Sequence, residues 1–248
     1  MAQLMRTSNP ALNDQAFRGE HAAFGDAMTL QGTVNKTGVL LICTVATAAW
    51  AWNQFNHSPQ SVGPLAMIGA IGGLIVALVT IFKKTWAPIT APIYGLLEGL
   101  VLGSVSALLE MRYHGIAIQA VSLTFGTLVV LLLAYRSGLI PVTDKFRLGV
   151  VAATGGIALL YLLEILLGFF GIRFATINGA GPIGIGFSVF VVIIAALNLV
   201  LDFDFIENGV RAGAPKYMEW YAAFGLMVTL IWLYFEILRL LSKLRSRN

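Results

Sequence analysis

Seven long apolar runs constrain this 248-residue chain more than any other feature of its sequence. Each run holds about 20 mostly apolar residues, the length that a helix needs to cross the hydrocarbon core of a membrane. They cover residues 37–54, 62–82, 88–109, 115–135, 147–170, 181–202 and 218–240. The runs are too long and too continuously apolar for the alternating strands of a membrane barrel. The sequence therefore predicts an all-α integral membrane protein, a bundle of seven transmembrane helices.

Composition agrees with a chain that is mostly embedded in a lipid bilayer. Only 11% of the residues are charged and 58% are hydrophobic, whereas a soluble domain carries roughly a quarter charged residues. We divide the chain into a polar N-terminal segment (1–35), a transmembrane domain (36–241) and a basic C-terminal tail (242–248). Because apolar sequence begins only after the polar segment, we expect no cleavable signal peptide. The net charge is +4, and the basic residues that produce it lie in short loops and in the tail, as membrane topology requires. We therefore expect no nucleic-acid partner.

Lysine and arginine predict the orientation, because cytoplasmic loops are enriched in them. One side carries ten: Arg6, Arg18, Lys36, Lys83, Lys84, Arg136, Lys145, Arg147, Arg211 and Lys216. The other side carries only Arg112 and Arg173 before the tail. The count predicts an inner-membrane protein with a cytoplasmic N-terminus. If the seventh run crosses the membrane fully, the basic tail lies on the opposite side from the cytoplasm, against the expected distribution. Either the tail is an exception, or the last segment is short or re-entrant.

Acidic residues within or beside the apolar runs are the candidate functional residues. Charge in hydrocarbon is costly, and proteins tend to keep it for ion or proton work. The candidates are Glu98 in the third run, Glu164 in the fifth, Asp202, Asp204 and Glu207 at the end of the sixth, and Glu219 and Glu236 in the seventh. Asn198 lies four residues before Asp202 and so shares its helix face, from which Asp204 points away. We expect Glu236 to pair with Arg239 or to snorkel.

Asp202 is the residue on which we base a mechanism. In the predicted orientation it lies on the same side as Glu219 and as Lys83 and Lys84 at the end of the second run. Burial raises the pKa of a carboxyl group and a nearby cation lowers it, so an Asp–Lys pair would form a latch that loosens on protonation. Asp202 and Asp204, with Glu207 and Glu219, would also offer the oxygen ligands that Ca²⁺ prefers. Alternatively, Asp202, Asp204 and Glu207 are ordinary interfacial charges at a helix end.

Glycines in the third run predict a helix contact. Gly95, Gly99 and Gly103 recur every four residues and therefore share one face. Small residues at this spacing let membrane helices approach closely. A hinge or a pore-facing surface is the alternative.

Nothing in the sequence indicates an enzyme or a bound cofactor. The histidines, His21, His57 and His114, fall in the tail or in loops and lack metal-ligand spacing. An intramembrane protease would need a nucleophile paired with a base at membrane depth.

Several stretches together resemble the Bax inhibitor-1 family of transmembrane BAX-inhibitor-motif proteins, most closely its bacterial branch. They are Thr7–Leu12 (TSNPAL), Met28–Thr37 (MTLQGTVNKT), Leu97–Gly103 (LEGLVLG), Leu201–Gly209 (LDFDFIENG), and Glu219–Leu241 with its EWY start and LYFEILRLL end. The resemblance extends over essentially the whole chain. It implies a seven-helix fold in which the other six helices surround the last one.

The resemblance also implies a Ca²⁺ leak across the membrane that is gated by pH. In such proteins two aspartates on the last two helices sense protons, and an arginine at the end of the second helix latches onto them. Asp202 matches the first aspartate, and Lys83 or Lys84 takes the place of the arginine. Thr229 falls at the second aspartate position, and Glu219 and Glu236 are the candidate substitutes for that acid.

The sequence therefore favours a pH-sensitive Ca²⁺ leak channel that is not an enzyme, with Ca²⁺ and protons as its ions. Two alternatives stay open. Some bacterial members of the family modulate a membrane protease, which would make this chain an interaction protein that contacts another membrane protein through residues 1–35. Isolated membrane acids such as Glu98 and Glu164 also suit a proton-coupled cation exchanger.

Overall fold

The computed structural model describes residues 27–171 and 174–247, and these fold into helices joined by short connections. The helices are α1 (Leu30–His57), α2 (Val62–Phe82), α3 (Ala87–Arg112), α4 (Ile116–Arg136), α5 (Asp144–Gly168), α6 (Ala175–Asn178), α7 (Pro182–Arg211) and α8 (Met218–Arg247). All of these except the short α6 are long and apolar enough to cross a membrane. The prediction of an all-α bundle of seven transmembrane helices is confirmed.

Three helix ends extend seven or more residues beyond the apolar runs. Helix α1 begins at Leu30 rather than at residue 37, α7 continues to Arg211 rather than 202, and α8 continues to Arg247 rather than 240. Hydropathy detects only the part of a helix that lipid surrounds, whereas the backbone stays helical for as long as its polar side chains find partners. Residues 1–26, most of the predicted polar segment, lie outside the described residues.

The bundle has two ends, which we name by the buried residue at each. The Glu219 end is where α1, α3, α5 and α8 begin, and the Lys243 end is where they finish. Thr29 starts α1 at the Glu219 end, because its side-chain oxygen accepts a hydrogen bond from the Gly32 amide at 3.0 Å. Thr143 caps α5 in the same way, through the Phe146 amide at 3.2 Å. Such caps satisfy amides that have no partner within the helix.

The last helix occupies the centre of the bundle. In its most apolar stretch 67% of α8 is buried, against 11% in the peripheral α5. Helix α8 packs against α1, α3, α4 and α7. Its 30 residues span about 45 Å at the usual helical rise, which exceeds the roughly 30 Å of hydrocarbon. A short or re-entrant last segment is therefore excluded as an explanation for the basic residues at its end.

The glycine face of α3 packs directly against α1. A methyl group added at Gly99 would lie 2.4 Å from the Thr44 carbonyl oxygen, and one at Gly103 would lie 2.2 Å from the Ala48 carbonyl oxygen. Both distances are far inside van der Waals contact, so only glycine allows the two backbones to approach this closely. The prediction of a close helix contact is confirmed.

Residues 242–247, which we predicted to be a tail, form the last turns of α8. Lys243 is only 6% exposed. Its ammonium donates to the Ile177 carbonyl at 2.7 Å, the Gly184 carbonyl at 3.1 Å and the Ser188 hydroxyl at 2.8 Å. An ammonium group has three N–H donors, and these three acceptors occupy all of them. Lys243 thus joins α8 to α6 and to the first turns of α7.

Replacing Lys243 with methionine should loosen α6 and the start of α7. Methionine keeps the apolar stem but cannot donate, and three acceptors would lose a charged donor, at a cost of about 1–3 kcal/mol. Hydrogen exchange across residues 176–186 should become faster and the thermal midpoint should fall. Lys145→Met changes an exposed lysine in the same way and serves as the control. Equal exchange in the two variants would contradict this role for Lys243.

Candidate functional site

Asp202 lies inside α7 and is completely buried. Its exposed fraction is 0%, and α7 continues nine residues further to Arg211, roughly 14 Å along the axis. The alternative that Asp202 is an interfacial charge at a helix end is therefore wrong, because the helix neither ends there nor exposes the side chain. Asn198, on the same face, donates its amide to the Thr154 hydroxyl of α5 at 2.8 Å.

Thr229 lies on the central helix at a depth similar to that of Asp202. It follows Met218, the first residue of α8, by eleven positions, or roughly 17 Å. Helices α7 and α8 run antiparallel, are joined by a short turn and pack together, so equal distances from the turn mean similar depths. Thr229 is 3% exposed. A buried hydroxyl thus stands at the position that the family resemblance assigns to the second acid.

The structure distinguishes between the two candidate latch lysines. Lys83 is exposed, whereas Lys84 is half-buried in the 3-10 turn before α3. The Lys84 ammonium lies 5.8 Å from the centre of the Tyr221 ring on α8. Tyr221 is itself fully buried. Lys84 is therefore the lysine that approaches the central helix.

Asp204 and Glu207 are engaged on other faces of α7. Asp204 accepts a hydrogen bond from the Arg147 guanidinium of α5 at 2.6 Å and another from Asn208 at 3.0 Å. Glu207 accepts from the Tyr135 hydroxyl of α4 at 2.5 Å and pairs with Arg211 at 2.5 Å. These two acids bind α7 to its neighbours at the Glu219 end.

Glu219 holds the beginning of α1 against the beginning of α8. Its carboxylate is fully buried and accepts from Lys36 at 2.6 Å and from Lys216 at 2.8 Å. The amide and hydroxyl of Thr29 also donate to it, at 2.9 and 2.8 Å. A methyl group on Gly32 would lie 2.0 Å from this carboxylate, so a larger residue there would displace it. We call Thr29, Lys36, Lys216 and Glu219 the Glu219 clasp.

These contacts do not support a shared Ca²⁺ site. Asp202 and Asp204 are two positions apart on a continuous helix and so point to different sides. Asp204, Glu207 and Glu219 each have a cation against the carboxylate. Within residues 27–171 and 174–247, no group of three or more His, Cys, Asp or Glu side chains is arranged to hold a metal ion. The acids at this end serve as structural ion pairs, which sequence alone could not distinguish from ligands.

Glu98 lies near the middle of α3, where it faces α2. A methyl group on Gly73 would lie 2.8 Å from the Glu98 carboxylate, so the glycine makes room for it. Tyr94, one turn earlier on α3, lies close to the Glu98 side chain. The carboxylate is thus held at mid-membrane depth between two helices. Glu164, in contrast, accepts from the Asn178 side chain and ties α5 to α6.

Glu236 pairs with Arg239, as the sequence predicted. The two side chains are 3.8 Å apart, and Tyr161 of α5 joins them. The Tyr161 hydroxyl donates to Glu236 at 2.9 Å and accepts from Arg239 at 2.6 Å. Glu236 is 3% exposed, so it is buried against α5 rather than snorkelling to the membrane surface.

Polar groups therefore follow the central helix from one end of the bundle to the other. The buried polar side chains of α8 are Glu219, Tyr221, Thr229, Tyr234, Glu236 and Lys243. Helix α3 adds Ser104 and Ser106, and the Ser106 hydroxyl bonds to Tyr234 at 2.7 Å. Buried ionisable groups are expensive in a membrane, and hydroxyl groups also serve as contacts between membrane helices.

The family profile described as Bax inhibitor 1 like matches residues 9–246. The chain belongs to the Bax inhibitor 1 like family. The match includes every described helix, so the resemblance suggested by short sequence stretches is confirmed over nearly the whole chain. No curated protein and no solved structure matches it.

Sequence reasoning about this Bax inhibitor 1 like protein missed three anchoring residues, namely Lys36, Arg147 and Lys243. The partners of Lys36 and Arg147 are distant along the chain, so no local pattern predicts the pairs. Lys243 did have a signal. It follows Glu236 by seven positions and Arg239 by four, which places all three on one helix face.

Proposed function

We propose that this protein is a pH-sensitive Ca²⁺ leak pathway in which Asp202 is the proton-sensitive residue. The observation that carries the proposal is the complete burial of Asp202 inside α7, at the depth where α7 packs against the central helix. Membership of the Bax inhibitor 1 like family agrees with it.

The pathway would follow the polar groups of α8 between the two ends of the bundle. A cation that passes Asp202 meets one buried carboxylate rather than a complete set of ligands. This suits conduction, because an ion must bind well enough to enter and weakly enough to leave. Lys84, beside Tyr221, lies at the Glu219 end, and in this proposal its ammonium competes with a permeant cation for the Asp202 carboxylate.

Protonation of Asp202 changes this balance. An ionised Asp202 attracts both Lys84 and a cation, whereas the neutral acid attracts neither. Flux therefore depends on the charge of Asp202 and follows its titration. In this proposal the Glu219 end, which holds Lys36, Lys84, Arg147 and Lys216, faces the cytoplasm of an inner-membrane protein.

Replacing Asp202 with asparagine should remove the pH dependence of Ca²⁺ flux, because asparagine has the same shape and does not titrate. The measurement is Ca²⁺ uptake by liposomes that contain the purified variant, from roughly pH 6 to roughly pH 8. Asp144→Asn is the matched control, since the Asp144 side chain is 76% exposed at the start of α5, and it should retain the wild-type profile. An unchanged pH response in Asp202→Asn would refute the assignment of Asp202.

Proton-coupled cation exchange is a second candidate, favoured by the mid-membrane position of Glu98 between α2 and α3. Isolated carboxylates at this depth serve as proton carriers in transporters. An exchanger uses a proton gradient to drive net movement of the cation against its own gradient, whereas a leak moves the cation only down its own gradient. Uphill Ca²⁺ accumulation driven by an imposed proton gradient would favour exchange.

A further inference from the structure

A cavity of about 500 Å³ lies between α1, α3, α4 and α8. Its volume falls within the range of roughly 300–1,000 Å³ that is usual for ligand sites. The lining is almost entirely apolar and includes Val45 and Ala49 of α1, Ile118 and Phe125 of α4, and Leu230 of α8. These residues place the cavity in the half of the bundle nearer the Lys243 end.

The cavity opens sideways, between α1 and α4. Helix α1 packs mainly on α3 and α8, and α4 packs on α3, α7 and α8. The side chains at the mouth are exposed, with 59% for Val45, 66% for Ile118 and 39% for Phe125. The inner wall consists of Met227 and other buried residues of α8. An apolar passage therefore leads from the lipid-facing surface to the central helix.

Arg112 and Arg245 lie at the Lys243 end of the bundle, where Glu110 of α3 also lies near Arg245. Arg245 donates to the His114 carbonyl at 2.5 Å and to the Gln119 side chain at 2.9 Å, and Gln119 directly follows Ile118 in α4. Arg112, at the end of α3, is exposed, and its guanidinium lies 5.6 Å from the centre of the Tyr113 ring. Guanidinium groups suit phosphate, which they bind through paired hydrogen bonds.

We propose that this cavity and its arginines form a binding site for one anionic phospholipid. One acyl chain fills the cavity and the phosphate lies against Arg112 and Arg245. An apolar cavity does not hold water stably, and an empty one forfeits dispersion contacts along its walls. The mouth faces the hydrocarbon of the membrane, so a lipid acyl chain is the apolar group available to fill the cavity. Since bilayer lipid is as apolar as the cavity, selection among lipids comes from the headgroup.

Native mass spectrometry of the purified full-length protein tests this site. The protein is freed of loosely held lipid in detergent and then titrated with phosphatidylglycerol or with phosphatidylcholine of the same chain length. We expect one tightly retained phosphatidylglycerol and clearly weaker retention of phosphatidylcholine. No retained lipid, or equal retention of the two, would overturn the proposal.

Two variants locate the lipid. Ala49→Trp places a large side chain in the mouth and should abolish retention, whereas Ala70→Trp, on the exposed face of α2 outside the cavity, should retain the lipid. Arg112→Gln should weaken phosphatidylglycerol binding and leave phosphatidylcholine binding unchanged. The thermal midpoint of each variant is also measured. Only variants whose midpoint equals that of the wild type are compared, so that misfolding is excluded as a cause of lost binding. Retention by Ala49→Trp equal to that of Ala70→Trp would also overturn the proposal.

Discussion

The variant Gly103→Ala should lower the thermal midpoint strongly, although it adds only one methyl group. That methyl would lie 2.2 Å from the Ala48 carbonyl oxygen and 2.8 Å from the carbonyl carbon. These are backbone atoms of a long helix and cannot rotate away, so α1 and α3 must separate. Overpacking usually costs about 1–3 kcal/mol, and we expect roughly 3 kcal/mol or more here because the close approach of the two helices is lost along several turns.

The control is Gly126→Ala on α4. A methyl group there meets no atom within 4 Å, and alanine is the better helix former by about 1 kcal/mol. This variant should therefore be as stable as the wild type or slightly more so in detergent unfolding. If the two alanine variants have the same thermal midpoint, the contact between α1 and α3 is not the close packing described above.

The second large effect is expected for Glu219→Gln. Glutamine can still accept from Thr29, but it loses the charge that holds Lys36 and Lys216. Breaking a fully buried ion pair costs about 3–5 kcal/mol. The lysine side chains are 23% and 49% exposed and can recover water, so we expect about 2–3 kcal/mol. Amide exchange across residues 28–36 should accelerate, because the start of α1 loses its anchor.

Glu207→Gln is the matched control for the Glu219 clasp. Glu207 and Arg211 form an exposed pair, with side chains 41% and 70% exposed, and such pairs contribute about 0–1 kcal/mol. Glutamine can also accept the Tyr135 hydrogen bond. A loss of stability in Glu207→Gln as large as in Glu219→Gln would show that the Glu219 clasp contributes no more than a surface pair.

Hydropathy predicted the helices of this bundle well because burial in lipid is a property of each segment by itself. The spacing of Gly95, Gly99 and Gly103 likewise predicted a contact, since a helix face is defined by local periodicity. The family resemblance supplied the central position of α8. The helix ends were less predictable. Asp204 and Glu207 mark a boundary by hydropathy, yet α7 continues through them because Arg147 and Tyr135 provide partners.

The roles of the acids could not be predicted, because a role depends on what each carboxylate meets in three dimensions. Glu219 was a candidate cation ligand by depth, and two lysines and Thr29 instead surround it. Asp202 was placed at a helix edge and lies well inside α7. The choice between Lys83 and Lys84 needed the geometry of the turn before α3, where only Lys84 approaches Tyr221.

The measurement that tests the central claim most directly is Ca²⁺ uptake by liposomes that contain only the purified wild-type protein, with the same pH on both sides. Symmetric pH removes any initial proton gradient, so uptake is driven by the Ca²⁺ gradient alone. We predict uptake above that of empty liposomes, with a rate that differs between roughly pH 6 and roughly pH 8. Uptake no greater than that of empty liposomes at every pH, from protein shown to be folded, would contradict the account.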